Sequence, residues 1–191
     1  VNDPAITVSV RPAETDLLPL DESSSRSVVC MLTCLPNGVQ AMSMEIHGLV
    51  QTSLNLGILA AEQTALTATF CVRSSLGSQK EMLHRRLRTL MAQLGGTVSI
   101  SGDYPAWEYR QDSSLRDLMT EVFQEQYGRK PKIEAIHAGV ECGILSGKLP
   151  GLDCVSIGPN LLDIHTPRER MEIASVQRVW RFVLEVLKRS K

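Results

Sequence analysis

The chain has 191 residues, of which 43% are hydrophobic, and 20 Lys plus Arg against 21 Asp plus Glu leave a net charge of −1. That is apolar material for one large domain or two small ones, and too much for a disordered chain. The neutral balance and the 4% of aromatic residues argue against nucleic-acid and membrane-surface partners, and no apolar run approaches the roughly 20 residues that cross a bilayer.

The chain opens Val1-Asn2-Asp3-Pro4 without a basic and apolar leader pattern, which points to processing or to a longer parent protein. Five cysteines, Cys30, Cys34, Cys71, Cys142 and Cys154, form an odd set in apolar or small-residue settings. They are expected to be reduced, buried thiols of a cytoplasmic protein. Cys30 and Cys34 are four apart in a helical pattern, which is not a zinc-ribbon spacing.

Ile6, Val8 and Val10 alternate and predict a strand that Pro12 ends. Asp21 to Leu35 predicts a helix with the stripe Val28, Met31, Leu32 and Leu35. Pro36 stops it, and Asn37-Gly38 is a turn pair. Val50, Thr52, Leu54, Leu56 and Ile58 alternate, as do Leu66, Ala68, Phe70 and Val72, so an antiparallel hairpin is expected around Glu62-Gln63. Ser78 and Glu81 have capping-box spacing ahead of Leu83, Leu87, Leu90, Met91 and Leu94, and Gly95-Gly96 supplies the stop. Val98 and Ile100 suggest a short strand. This order suits helices on one face of a mainly antiparallel sheet.

The pattern changes at Gly102-Asp103-Tyr104-Pro105, where a domain boundary is expected. Leu115, Leu118, Met119, Val122 and Phe123 predict a helix that Gly128 and Pro131 end. Lys132–Ile136 is expected as a strand, Gly139–Leu145 as a short helix and Leu152–Ile157 as a strand covered on both faces. Val176, Val179, Trp180, Val183, Leu184 and Leu187 predict a final amphipathic helix. A strand–helix–strand unit would open both strand ends on one sheet edge, where ligands bind in α/β folds. His137, Glu141 and His165 could then converge there, and Gly139 would let backbone N–H groups approach an anion.

Each candidate has a plainer reading. His165 can be a core or capping residue, and Glu141 a solvated acid in the first turn of a helix. His47 and His84 read as solvated, and Arg85, Arg86 and Arg88 as an exposed helix face. Arg73 ends a strand on the face opposite Leu66, Ala68, Phe70 and Val72. It is either a surface charge or a bidentate carboxylate holder. No GxGxxG, GxxxxGK[ST], HExxH or GxSxG is present, so those chemistries lack their motifs.

The stretch Ile136-His137-Ala138-Gly139-Val140-Glu141-Cys142-Gly143 resembles the signature of aminoacyl-histidine dipeptidases, as do Val155-Ser156-Ile157-Gly158-Pro159-Asn160 and His165-Thr166-Pro167. Pro36-Asn37-Gly38-Val39, Gly48 to Gly57 and Tyr104-Pro105-Ala106-Trp107 are similar to the same family, while residues 1–35 match weakly. The resemblance implies a mixed α/β chain. Residues 1–103 would be the latter part of an antiparallel-sheet lid with helices on one face. Residues 104–191 would be the C-terminal segment of an α/β/α catalytic domain. It also implies a di-zinc metallopeptidase that hydrolyses Xaa-His dipeptides such as carnosine, cytoplasmic and homodimeric through the lid.

By the same resemblance His165 would be a zinc ligand, and Arg73, Gly139 and Glu141 would bind substrate. No catalytic residue falls in this chain, because the His-x-Asp, Asp-Asn-Gly and Glu-Glu motifs that supply the other ligands and the base are absent from it. One His cannot hold a catalytic zinc. The chain is therefore expected to be an inactive C-terminal piece of the enzyme, the alternative being a non-catalytic binding or dimerisation module derived from the lid.

Overall fold

The computed structural model describes residues 5–12, 14, 18–135 and 141–190. The chain divides into two compact units, Val1–Cys34 and Leu35–Lys191.

The first unit holds helix α1 (Glu22–Cys34), as the apolar stripe predicts. Asp21 starts it: Ser24 donates its backbone N–H (2.9 Å) and its hydroxyl (2.7 Å) to the two carboxylate oxygens. Those bonds satisfy N-terminal groups that the first turn leaves open. They also hold the Asp21 carboxyl below its ordinary range. Only Met31 of α1 is buried. The strand expected over residues 6–10 does not form. Ile6, Val8 and Val10 are exposed, and alternation makes a strand only where a neighbour supplies a hydrogen-bonded ladder.

The second unit begins with strands β1 (Gly38–Met42), β2 (Val50–Ala61) and β3 (Leu66–Ser74), an antiparallel sheet in the order β1-β2-β3. The expected β2–β3 hairpin is present, and Glu62 N–H donates to Ala65 O at 2.8 Å across its turn. β1 is not among the expected strands; the pattern marks only its first residue, Gly38, as part of a turn pair. Asn37 joins the sheet from outside it, its side-chain oxygen accepting Leu56 N–H at 2.9 Å. A register shift between Leu56 and Ile58 changes the phase of β2. Thr52 and Leu54, before it, are buried, whereas Ile58 and Leu59, after it, are exposed.

Helix α2 (Gly77–Gln93) lays Leu83 and Leu87 on Leu54. Leu35, Phe70, Val72 and Val98 complete this first core. The helix starts one residue before Ser78, with Leu76 at its N-cap and no side-chain cap, so the expected capping box does not form. Glu81 instead faces His84 and Arg88 at 3.7 and 3.9 Å. His84 is only 7% exposed, contrary to the solvated reading, because it directly follows core residue Leu83 on the helix. Arg85, Arg86 and Arg88 are exposed as expected. Residues 98–100 join no ladder.

The second core lies between helices α3 (Ser114–Tyr127) and α5 (Ile173–Arg189), where Met119, Val122, Phe182 and Val186 are buried together. Phe123 meets Phe182 edge-on at 5.9 Å between centroids. Ser113 caps α3 by accepting Arg116 N–H at 3.0 Å, and Gly128 closes it in the left-handed region at φ 69°. Asp153 reinforces that cap, taking the Ser113 hydroxyl at 2.8 Å and Leu115 N–H at 3.0 Å. On α5 the buried positions are Ser175, Phe182 and Val186. Much of the expected stripe faces outward, with Trp180 63% exposed, because α5 is apolar on two sides and α3 covers one of them.

Helix α4 (Glu141–Lys148) corresponds to the short helix expected over 139–145, although residues 139 and 140 lie outside the described ones. The expected strands at 132–136 and 152–157 form no ladder among the described residues, and residue 136 lies outside them. The second stretch is used otherwise: Val155 packs on the α3–α5 core and Asp153 caps α3. An unannounced hairpin, β4 (Leu161–Leu162) with β5 (Arg170–Met171), closes the architecture ahead of α5. The class is mixed α/β with an antiparallel sheet, as expected. The cysteines are free thiols, but none is fully buried: Cys34 and Cys71 are exposed, and Cys30, Cys142 and Cys154 are half-buried.

Candidate functional site

The motif-bearing segments occupy a helix start, a hairpin tip and a strand end. At the helix start, Gly143 and Gly147 are one turn apart on α4 and meet Pro105 at close range. A Cβ at Gly143 would lie 2.9 Å from the Pro105 carbonyl oxygen, and one at Gly147 would lie 2.5 Å from Pro105 Cγ. The Tyr104-Pro105-Ala106-Trp107 stretch and the end of the 136–143 stretch are thus a packed pair that only small residues permit. Glu141 opens α4 and is exposed, in the first turn where the helix dipole favours its charge. Burial pushes the Cys142 thiol up, and the neighbouring Cys154 adds to that. Gly139 and His137 lie outside the described residues.

The hairpin tip carries His165. Asp163 and His165, at φ 54° and 65°, are the non-glycine residues in the left-handed region among the described ones. Such a backbone costs on the order of 1–3 kcal/mol per residue and persists where neighbours hold it. The neighbours here can be named. His165 N–H donates to Glu169 Oε2 at 3.0 Å. Thr166 donates its hydroxyl (2.7 Å) and its N–H (3.2 Å) to the Asp163 carbonyl. Arg170 reaches the Asp163 carboxylate at 3.5 Å. At the base, Asn160 Nδ2 donates to Glu172 Oε2 at 2.7 Å, Arg178 donates to Glu172 Oε1 at 2.9 Å, and Glu172 N–H donates to Asn160 O at 3.0 Å. The Asn160 and Arg178 bonds hold the Glu172 carboxyl below its ordinary range. His165 itself is exposed.

The strand end carries Arg73, which pairs with Ser53 across the β2–β3 ladder and is exposed. Cys71, two residues earlier and so on the same face, hydrogen-bonds it and favours its charged form. Arg73, Glu141 and His165 therefore sit on three different elements. Among the described residues no three His, Cys, Asp or Glu side chains gather as a metal site. Around His165 the nearby carboxylates are engaged, Asp163 with Arg170 and Glu169 with the His165 backbone. The described residues alone do not fit a zinc centre.

Sequence reasoning missed Glu169 and the Asn160–Glu172–Arg178 cluster, which hold the tip that presents His165. The available signal was a carboxylate four residues beyond His165 with Pro167 between them, a spacing that suits a turn closed on itself.

No protein-family model matches the chain. It is 33% identical over 173 residues, 91% of its length, to a cytosol non-specific dipeptidase of Escherichia coli strain K12. It is similar in structure to aminoacylhistidine dipeptidase from Vibrio alginolyticus, with a TM-score of 0.83 and 32% identity over 92% of this chain. It spans 36% of the length of each of these enzymes. Aminopeptidase PepT from Bacillus cereus ATCC 10987 shares the fold, with a TM-score of 0.63 and 16% identity over 85% of this chain and 44% of that one. The resemblance to aminoacyl-histidine dipeptidases carried by the sequence motifs is borne out by the likeness to the Vibrio alginolyticus enzyme, and the chain corresponds to about a third of a dipeptidase.

Proposed function

We propose that this chain is one part of a zinc dipeptidase that hydrolyses dipeptides with C-terminal histidine in the cytoplasm. The observation that carries the reading is the likeness to the Vibrio alginolyticus enzyme along 92% of this chain at a TM-score of 0.83. The similarity to a cytosol dipeptidase of Escherichia coli supports the compartment. Residues 1–103 are assigned to a lid that also joins two copies of the protein, and 104–191 to the catalytic domain.

Within that reading Arg73 holds the terminal carboxylate of the substrate. A guanidinium gives two parallel N–H donors matched to two carboxylate oxygens, and the antiparallel ladder behind β3 fixes the strand from which it projects. Gly139 and Glu141 line the substrate pocket. His165 gives the intact enzyme one ligand toward its zinc pair, presented on a tip that Glu169 holds in the left-handed region. The remaining ligands and the proton-transferring base come from residues outside this chain.

The test is a substrate series on the intact protein, comparing Xaa-His dipeptides with Xaa-Ala dipeptides of the same N-terminal residue. The reading expects preferential turnover of the Xaa-His members. Equal turnover would assign a general dipeptidase, in line with the name of the Escherichia coli relative. Absence of hydrolysis across the series would refute the enzyme reading. In the same protein Arg73→Ala should raise KM about tenfold or more with kcat less affected, from the loss of charge-assisted hydrogen bonds of about 1.5–3 kcal/mol. An unchanged KM would remove Arg73 from the binding role.

A further inference from the structure

Two of the five cysteines meet across different elements. Cys142 lies in the first turn of α4, and Cys154 lies in the extended stretch that follows that helix. Ser146, one turn after Cys142 and so on the same side of α4, donates its hydroxyl to Cys154 Sγ at 3.6 Å. The Cys142 thiol hydrogen-bonds the same sulfur. Two donors on α4 thus converge on Cys154, and both cysteines are half-buried. Each end of the contact is held from behind. Gly143 and Gly147 seat α4 on Pro105, while Asp153 caps α3 and Val155 packs on the α3–α5 core.

A second thiol pair shows why this placement matters. Cys30 and Cys34 also hydrogen-bond each other, but both lie on α1, one turn apart. Residues so spaced on a helix keep their Cβ atoms about 5–6 Å apart. A disulfide needs about 3.5–4.5 Å, so α1 would have to unwind to form one. Cys142 and Cys154 come from different elements and carry no such restraint.

We propose that Cys142 and Cys154 are a redox modification site that hydrogen peroxide converts to a disulfide, with Cys154 attacking first and Cys142 resolving. Half-burial admits a small oxidant more readily than a bulky disulfide. Cys154 is the sulfur that both donors address, and burial and the neighbouring sulfur keep the Cys142 thiol protonated until its turn. The Cys154 thiolate attacks one peroxide oxygen, the O–O bond breaks, and hydroxide leaves and is protonated to water. Cys142 then gives up its proton and attacks the sulfenic sulfur, the S–S bond forms, and the S–O bond breaks to release a second water. The two sulfurs lose two electrons and the peroxide gains them. The bond ties the start of α4, with Glu141 beside it, to the segment that caps α3. This inference stands on the thiol contacts and is independent of the dipeptidase reading.

The test is peroxide treatment of the full chain, alkylation of the remaining thiols and peptide mapping. Lys148 separates the two cysteines, so trypsin leaves peptides 133–148 and 149–168 joined only through the new bond. The expected product is that joined pair, lighter by two hydrogen atoms, with no bridge between Cys30 and Cys34. Dithiothreitol should return both thiols by exchange. In Cys142→Ser, Cys154 should be trapped by dimedone as its sulfenic acid, whereas in Cys154→Ser no adduct should appear at Cys142. Cys142 and Cys154 both remaining alkylatable at a peroxide dose that oxidises the exposed Cys34 and Cys71 would overturn the proposal. So would a bridge to any other cysteine, or a dimedone adduct on Cys142 in place of Cys154.

Discussion

The sheet part and the helix-pair part of the second unit bury similar apolar residues by different means. Leu54, Leu83 and Leu87 are enclosed by a hairpin and by the helix that follows it almost at once in the chain. Met119, Val122, Phe182 and Val186 come from helices about fifty residues apart, and the segments between them leave much apolar surface bare. Ile133, Leu149, Leu152, Leu161, Ile164 and Trp180 are all exposed there. A core closed by neighbours in sequence is completed locally, although Ile58 and Leu59 at the far end of β2 stay exposed. A core closed at long range leaves the intervening segments to find partners of their own, and the segments concerned here are those carrying Glu141 and His165.

The sharpest way to break this comparison is to empty one core and watch the other. Leu83 is 1% exposed, so Leu83→Ala should cost about 2–5 kcal/mol in the sheet part. Urea unfolding followed by circular dichroism should then separate from unfolding followed by tryptophan fluorescence, because Trp107 packs on α4 and Trp180 lies on α5, both apart from the sheet core. Coincident transitions would mean that the two cores unfold as one.

A smaller effect is expected at the packed pair of motifs. Gly147→Ala places a methyl group against Pro105 and should cost about 1–3 kcal/mol, read as early exchange of the α4 amides with α2 unaffected. A neutral result would show that α4 can shift away without loss. Smaller again is the α3 cap. Asp153→Ala removes acceptors for the Ser113 hydroxyl and Leu115 N–H and should cost about 0.5–2 kcal/mol in thermal unfolding.

The smallest effect concerns acid. Burial works against ionised Asp153, but the bonds from Leu115 and Ser113, with Arg110 and Arg116 nearby, outweigh it and hold the carboxyl below its ordinary range. Asp103 is held low chiefly by its hydrogen bond from Lys80. A folded-state value below the unfolded one of about 3.9 means stability that is present above that pH and is lost as the pH falls through the lower folded values. The segment around Asp103 and the start of α3 should therefore loosen in acid before the sheet core does. Amide exchange as a function of pH checks this order, and simultaneous loosening would contradict it.

The same contrast governs how much was legible in the sequence. Alternation in β2 and β3 and the 3.6-residue stripe of α2 are local patterns closed by local partners, and the structure follows them. Residues 152–157 carry an equally apolar pattern, but a strand exists only with a neighbour beside it, and Val155 serves the helix-pair core instead. Ile6, Val8 and Val10 fail in the same way. The His165 tip was legible as a motif and not as geometry. Its left-handed backbone depends on Glu169, and a turn built by one carboxylate has no periodicity to detect. On α5 the helix was evident, but which of its two apolar sides would be buried was decided by α3, more than forty residues upstream.

The central proposal is that this chain carries a part of a dipeptidase site and not a whole one. The most direct test is metal analysis of the purified 191-residue chain beside its His165→Ala variant, with a carnosine hydrolysis assay on both. The account predicts no tightly held zinc and no turnover in either protein, since the described residues gather no three metal-binding side chains. One or more zinc ions per chain, lost in the variant and accompanied by turnover in the parent, would contradict it.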